Sequence, residues 1–139
     1  MMMSQKSHIN VVIGILINAN QEVLIAQRPE HVPHGGLWEF PGGKIEANEL
    51  DYQALCRELQ EEIGVEVIAA KPIMEYSHQY PHYSVMLSIW LVTEYRDEPH
   101  GKEGQMIRWA RIADLENYSF PHANQSIIKY LSNHVTITA

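Results

Sequence analysis

Residues 43–65 constrain this chain more than any other stretch. They read G-K-I-E-A-N-E-L-D-Y-Q-A-L-C-R-E-L-Q-E-E-I-G-V. Tyr52, Leu55, Cys56, Leu59 and Ile63 recur at three- and four-residue steps, which predicts a helix over residues 49–63 with one apolar face. At about 100° per residue, Glu58, Glu61 and Glu62 fall together on a different face, where i, i+3 and i+4 positions are neighbours. Asn48 is the candidate N-cap, with Asp51 three residues on, and Glu49 suits the positive end of the helix. Gly64 is placed to stop the helix in a left-handed conformation. The element must bury one side and present carboxylates on another.

Three adjacent carboxylates repel one another. Arg57 relieves part of this by pairing with Glu61 at i+4. A hard divalent cation neutralises more, because Mg²⁺ takes carboxylate oxygens and keeps waters or phosphate oxygens as its remaining ligands. That arrangement suits a di- or triphosphate substrate, whose charge the metal offsets and beside which it activates a water. The bland alternative is a solvated acidic face. Gly43, Glu49, Arg57 and Gly64 stand at fixed offsets from the trio, however, and contribute nothing to a merely soluble surface. Pro41-Gly42-Gly43 is expected to form a tight loop that brings backbone groups close to a metal or phosphate. Lys44 is followed by Ile45 rather than Ser or Thr, so this is not the phosphate loop of P-loop nucleotidases.

The 139 residues suffice for one domain with a real core, and 45% apolar content is ordinary for a globular protein. Ten basic against seventeen acidic residues give a formal charge of −7. That balance argues against a stable grip on DNA or RNA, whose phosphates require positive charge. A small phosphorylated substrate remains compatible, because a bound cation reverses the local sign. One cysteine excludes an internal disulfide and fits a reducing, cytoplasmic compartment. Cys56 lies on the apolar helix face and reads as a packing residue rather than a nucleophile. The N-terminal Met-Met-Met-Ser-Gln-Lys-Ser-His carries no long apolar run, so neither a signal peptide nor a membrane span is expected.

Along the chain, residues 8–17 read as a buried strand and 22–27 as a second, joined by a turn at 18–21 as a hairpin. Residues 29–36 form a loop, and 37–40 a short extended piece leading into the glycines. Further strands are expected at 65–73, 83–94 and 105–110, with a polar, turn-rich connection at 95–104. Residues 112–115 form one helical turn. A second helix spans 122–131, with Ala123, Ile127, Ile128 and Leu131 at helical spacing. The expectation is an α/β sandwich with one helix on each sheet face. The eight histidines are scattered; His31/His34 and His78/His82 lie in expected loops without acidic or cysteine partners and read as surface residues.

Gly43, Glu49, Arg57-Glu58-Leu59, Glu61-Glu62 and Gly64-Val65 together resemble the Nudix box, G-x5-E-x7-R-E-U-x-E-E-x-G-U with U apolar, and meet it at every fixed position. A chance match in a chain of this length has a probability on the order of 10⁻⁷ at average residue frequencies. The resemblance implies one Nudix domain over 1–139, with a core at about 8–134, and the family's α/β/α sandwich around a mixed β-sheet. Within the family, Leu37-Trp38-Glu39-Phe40-Pro41-Gly42-Gly43-Lys44-Ile45-Glu46, Gly101-Lys102-Glu103-Gly104-Gln105 and Phe120-Pro121-His122-Ala123-Asn124 resemble the MutT branch, which hydrolyses oxidised guanine nucleotides.

Carried over by motif, Glu58, Glu61 and Glu62 would bind Mg²⁺ (or Mn²⁺), helped by the Gly43 carbonyl and by Glu103. From the residues alone, Glu103 is a loop surface charge. Glu49 either assists the metal site or favours the helix start. Glu58, then Glu103, are the candidate general bases. Asn124 is the candidate base reader, because a side-chain amide both accepts and donates and so meets the N7–H and O6 edge of an 8-oxopurine; its plain alternative is a cap or turn residue. Arg28 would contact the base or its surroundings, or make a simple salt bridge. Phe40 would pack near the base, or belong to the core. Tyr80-Pro81-His82-Tyr83 stands where some members carry acidic and basic residues that close over the ligand. Trp38 and Ala26-Gln27-Arg28-Pro29 also resemble Nudix enzymes that hydrolyse cytidine triphosphates. Three readings follow: an 8-oxo-dGTP diphosphatase, a pyrimidine triphosphate pyrophosphohydrolase, and a non-catalytic nucleotide-binding regulator. The expected partner is a small nucleotide, with no membrane, and the chain a monomer or weak dimer.

Overall fold

A computed structural model describes residues 7–33 and 35–134. The expectations for residues 1–6 and for His34 lie outside the described residues. The elements are β1 (Ser7–Leu16), β2 (Glu22–Gln27), β3 (Trp38–Glu39), β4 (Gly42–Lys44), α1 (Asp51–Ile63), β5 (Glu66–Gln79), β6 (Tyr83–Arg96), β7 (Ile107–Arg111) and α2 (Gln125–His134), with 3-10 turns at Ile112–Asn117 and His122–Asn124. One sheet runs β4-β1-β6-β5 and a second β3-β2-β7. β1 lies parallel to β6 and antiparallel to β4, so the larger sheet is mixed.

Side chains on a strand alternate between faces, and β1 uses both. Val12 and Leu16 pack with Leu24, Leu55, Leu59 and Ile63 beneath α1. Ile13 and Ile15 pack with Val23, Ile25, Ile127 and Leu131 beneath α2. The two helices therefore cover opposite faces, as the sequence pattern predicts. Leu55, Leu59 and Ile63 are fully buried, each contributing about 1.5–3 kcal/mol of apolar burial. Gly14 lets α1 approach: a Cβ there would press on the Leu55 and Leu59 side chains. Among the described residues no helix is long and apolar enough to cross a membrane.

Several local expectations are corrected. β1 and β2 share a turn and a single bridge, Ile17 to Val23, but belong to different sheets rather than forming a laddered hairpin. β5 and β6 form a hairpin, with β5 ending six residues later than the sequence pattern indicates. Helix α1 begins after Leu50, whose N–H donates to the Gln53 side-chain oxygen at 2.8 Å. Asn48 is not the cap; it takes a left-handed φ of 64° in the preceding turn. Gly64 does end the helix with φ 70° and ψ 25°. Pro41-Gly42-Gly43 is not a tight loop, because Gly42–Lys44 is a strand laddered to β1. His78 is not a surface histidine: it is half-buried against Tyr80 and His122.

Candidate active site

The glycines of β4 serve space rather than backbone freedom. A Cβ on Gly42 would strike the Val12 carbonyl, and one on Gly43 would fall on the Glu58 carboxyl group. The strand therefore lies directly against the acidic face of α1. The Gly42 N–H donates to Glu62 Oε2 at 3.1 Å. Glu62 is only 8% exposed. Burial raises its pKa to about 8, the Glu39, Glu103 and Glu58 charges push the same way, and the Gly42 amide opposes them. Glu58 is also raised, first by burial, with Glu61 and Glu103 adding and Arg57 opposing.

Arg57 organises this charge. Its guanidinium donates to Glu49 at 2.7 and 2.9 Å, to Glu58 at 2.8 Å, to the Lys44 carbonyl at 3.0 Å and to Glu61 at 3.4 Å. The expected Glu61 pair exists but is the weakest of these by distance. Glu49 is the main partner: Arg57 first, then the Glu46 amide, hold its carboxyl down at about 2. Glu49 thus sits in the ion pair that fixes Arg57, a structural role that neither of its two expectations named. Glu61 points outward, its side chain 55% exposed.

The loop after β6 folds back onto the C-terminal end of α1. His100 N–H donates to the Ile63 carbonyl at 3.0 Å, and Lys102 N–H to the Glu62 carbonyl at 3.2 Å. Gln105 Nε2 donates to that same Glu62 carbonyl at 2.9 Å, and Lys102 Nζ to the Gln60 carbonyl at 3.3 Å. These contacts satisfy helix-end carbonyls and place a cation at the negative end of the dipole. They bring Glu103 close enough for its charge to act on both Glu58 and Glu62. Proximity of Glu103, which the residues alone did not indicate, follows from this docking.

The donors fit a hard cation in kind: carboxylate oxygens on one helix face, the Gly43 backbone beside them and a further carboxylate on a docked loop. As they stand, no three described acidic, histidine or cysteine side chains close around one point. Arg57 and the Gly42 amide hold the carboxylates instead, and a cation competes with those donors. Cys56 is half-buried, and burial pushes its thiol up, away from thiolate chemistry.

Beside this acidic face opens a cleft of about 290 Å³, lined by Arg28, Phe40, Gly43, Tyr80, Leu87 and Asn124 among others. Phe40 is buried and stacks on Phe120 at 5.1 Å. Arg28 pairs with Glu39 at 3.2 Å, the salt bridge that is its simpler expectation, and also borders the cleft. Asn124 is 8% exposed, and its side-chain amide hydrogen-bonds to none of the described residues. The sequence reading assigned Glu39 and Gln105 no role at the site, and placed Tyr80 beside the ligand only as part of the segment 80–83. The Glu39 and Gln105 positions lay within quoted motifs but carried no separate chemical signal.

A NUDIX domain model matches residues 12–130. The chain belongs to the Nudix family. It is 43% identical over 102 residues to the 8-oxo-dGTP diphosphatase of Proteus vulgaris, covering 73% of this chain and 91% of that protein. A CTP pyrophosphohydrolase of Escherichia coli is 30% identical over 118 residues, covering 85% and 87%. A solved structure from a study of MutT from Aliivibrio salmonicida and Vibrio cholerae superposes with a TM-score of 0.80 at 42% identity, over 90% of this chain and 97% of that one. The Nudix box is therefore the segment from Gly43 to Val65, and the acidic face of α1 is its surface.

Proposed function

We propose that this Nudix domain, with its core at residues 8–134, hydrolyses 8-oxo-dGTP and 8-oxo-GTP to the monophosphate and pyrophosphate. The observation that carries the base assignment is the Asn124 side chain, which lines the cleft that also contains Gly43 and whose amide hydrogen-bonds to none of the described residues. An 8-oxopurine presents N7–H and O6 side by side, and one amide satisfies both. Guanine has an acceptor at N7, and an amide turned to accept there leaves two polar groups unpaired. The similarity to the 8-oxo-dGTP diphosphatase of Proteus vulgaris supports the same substrate.

Held by Glu58, Glu61, Glu62, the Gly43 carbonyl and Glu103, Mg²⁺ (or Mn²⁺) would neutralise phosphate charge and supply a water of lowered pKa. The chain's own part is to bind and to move protons. Asn124 and Phe40 orient the base at one end of the cleft, with Arg28 beside them. Water adds at the β-phosphorus, the bridge to the α-phosphate breaks, and a carboxylate takes the water's proton. Glu58 is the leading general base and Glu103 is next; a carboxylate beside a bound cation is a weak base, so the water's own pKa must be lowered as well. Removing this nucleotide from the pool keeps a mutagenic base out of nucleic acid.

A substrate panel at sub-saturating concentration tests the reading. The kcat/KM for 8-oxo-dGTP is expected to exceed that for dGTP, CTP and 5-methyl-dCTP by about 100-fold or more. Asn124→Ala should shrink the 8-oxo-dGTP to dGTP ratio by about 10- to 100-fold. Faster turnover of CTP would favour the pyrimidine reading, to which the E. coli relative lends support. No pyrophosphate release with any divalent metal would return the chain to a binding regulator.

Gly43→Ala offers a sharper geometric check. Its Cβ displaces the Glu58 carboxyl group, and misplacement by about 1 Å lowers turnover on the order of 10²-fold. The far-ultraviolet circular dichroism should be unchanged. A kcat near that of the parent would show that Glu58 does not need its present position.

A further inference from the structure

We propose that Tyr80 forms an aromatic wall of the nucleobase subsite, adding affinity for any base without discriminating among them; this rests on the nucleotide reading above. Tyr80 stands at the β5–β6 tip, where its N–H donates to the Tyr83 carbonyl at 2.8 Å. Tyr83 stacks on its ring at 4.6 Å and 16°. His78 meets it edge-on at 4.7 Å and itself touches the His122 ring at 5.6 Å. Lower on the hairpin, Tyr76 Oη donates to the Ala123 carbonyl at 2.5 Å. These contacts fasten the hairpin tip to residues 121–124, the segment that ends in Asn124.

Tyr80 belongs to neither hydrophobic core cluster, yet it lines the cleft together with Phe40, Ala123 and Asn124. A large aromatic ring at a hairpin tip, held by two other rings and turned toward a cleft, has no core to stabilise. Phe40 is already engaged by Phe120. The flat face of a base needs apolar cover as well as hydrogen bonds at its edge, and every base offers a π-face to an aromatic ring. Asn124 then supplies discrimination and Tyr80 supplies sequence-tolerant affinity.

The test compares Tyr80→Ala and Tyr80→Phe on 8-oxo-dGTP, dGTP and ribose 5-triphosphate, which has no base. Tyr80→Ala is expected to raise KM for both nucleotides by about tenfold, to change kcat less than twofold, and to leave the 8-oxo-dGTP to dGTP ratio and the turnover of ribose 5-triphosphate unchanged. Tyr80→Phe should behave as the parent. An unchanged KM in Tyr80→Ala overturns the proposal. So does an equal loss on ribose 5-triphosphate, which marks a general distortion, or an equal loss in Tyr80→Phe, which marks a hydroxyl contact. Fluorescence titration with 8-oxo-dGMP and dGMP reads the same wall without turnover. If the parent chain hydrolyses none of the triphosphates, the proposed activity falls, while tenfold weaker monophosphate binding by Tyr80→Ala still supports the wall.

Discussion

Replacing Glu62 by Gln, or Glu58 by Gln, lowers Mg²⁺-dependent turnover of 8-oxo-dGTP by roughly 10³-fold, while Glu61→Gln loses less. The ranking follows from position. Glu62 is buried against the Gly42 amide, and Glu58 lies against Gly43, so each has one well-defined place beside the cleft. Glu61 is largely solvated and is held to Arg57 by a long 3.4 Å contact, so its place is less well defined. A Gln side chain keeps the volume and can still accept from Gly42, so Glu62→Gln should fold normally. Steady-state kinetics across a Mg²⁺ titration distinguish the causes: a lost ligand shifts the metal dependence, whereas a lost base lowers kcat at saturating metal. Near-parent turnover in both Glu62→Gln and Glu58→Gln would remove the acidic face from the chemistry.

In the absence of divalent metal, the protein should become less stable as pH rises from 5 to 8.5. The folded pKa of Glu62 is raised from 4.5 to about 8. Between those values the folded state holds a proton that the unfolded state has released, so unfolding is favoured by each step upward in pH. The contribution is complete below 4.5 and gone once pH passes about 8. Glu58 shifts in the same direction. Glu49 runs the opposite way: its pKa is lowered to about 2, so its contribution is present above 4.5 and lost as pH falls through 2. Thermal melts in EDTA should therefore drop by on the order of 10 °C over the upper range. Mg²⁺ should restore more at pH 8 than at pH 5, because it binds the ionised carboxylates and only the folded chain presents them together. Glu62→Gln should flatten the metal-free slope. A melting temperature that climbs with pH in EDTA would show that Glu62 is not held in a carboxylate-hostile environment.

What could be read from the sequence was mostly what a helix decides for itself. Leu55, Leu59 and Ile63 announced the buried face, and Gly64 the stop, because both depend on neighbours within two turns. The trio Glu58, Glu61 and Glu62 shared a surface for the same reason. Errors came where distant partners outweigh local preference. Asn48 looked like a cap, but the turn there is shaped by Glu49 reaching Arg57 across two helical turns. The β1–β2 hairpin looked natural from adjacency, but β1 finds its long partner in β6, with Ser7 opposite Tyr83. The glycines of β4 looked like turn residues; their need for space appears only when Glu58 and Val12 are known to lie against them. Resemblance to the family placed Glu103 beside the trio, whereas spacing gave no hint of it.

The order in which the parallel β1–β6 ladder can form bears on synthesis. A ribosome that has released residues 1–65 has released every carboxylate of the box and the whole of α1. It has not released β6, whose pairing with β1 completes the sheet on which α1 rests. Closing that ladder spans most of the chain, and such long-range pairings form late. A fragment truncated after Val65 would therefore carry the full family signature while lacking the surface that makes it competent.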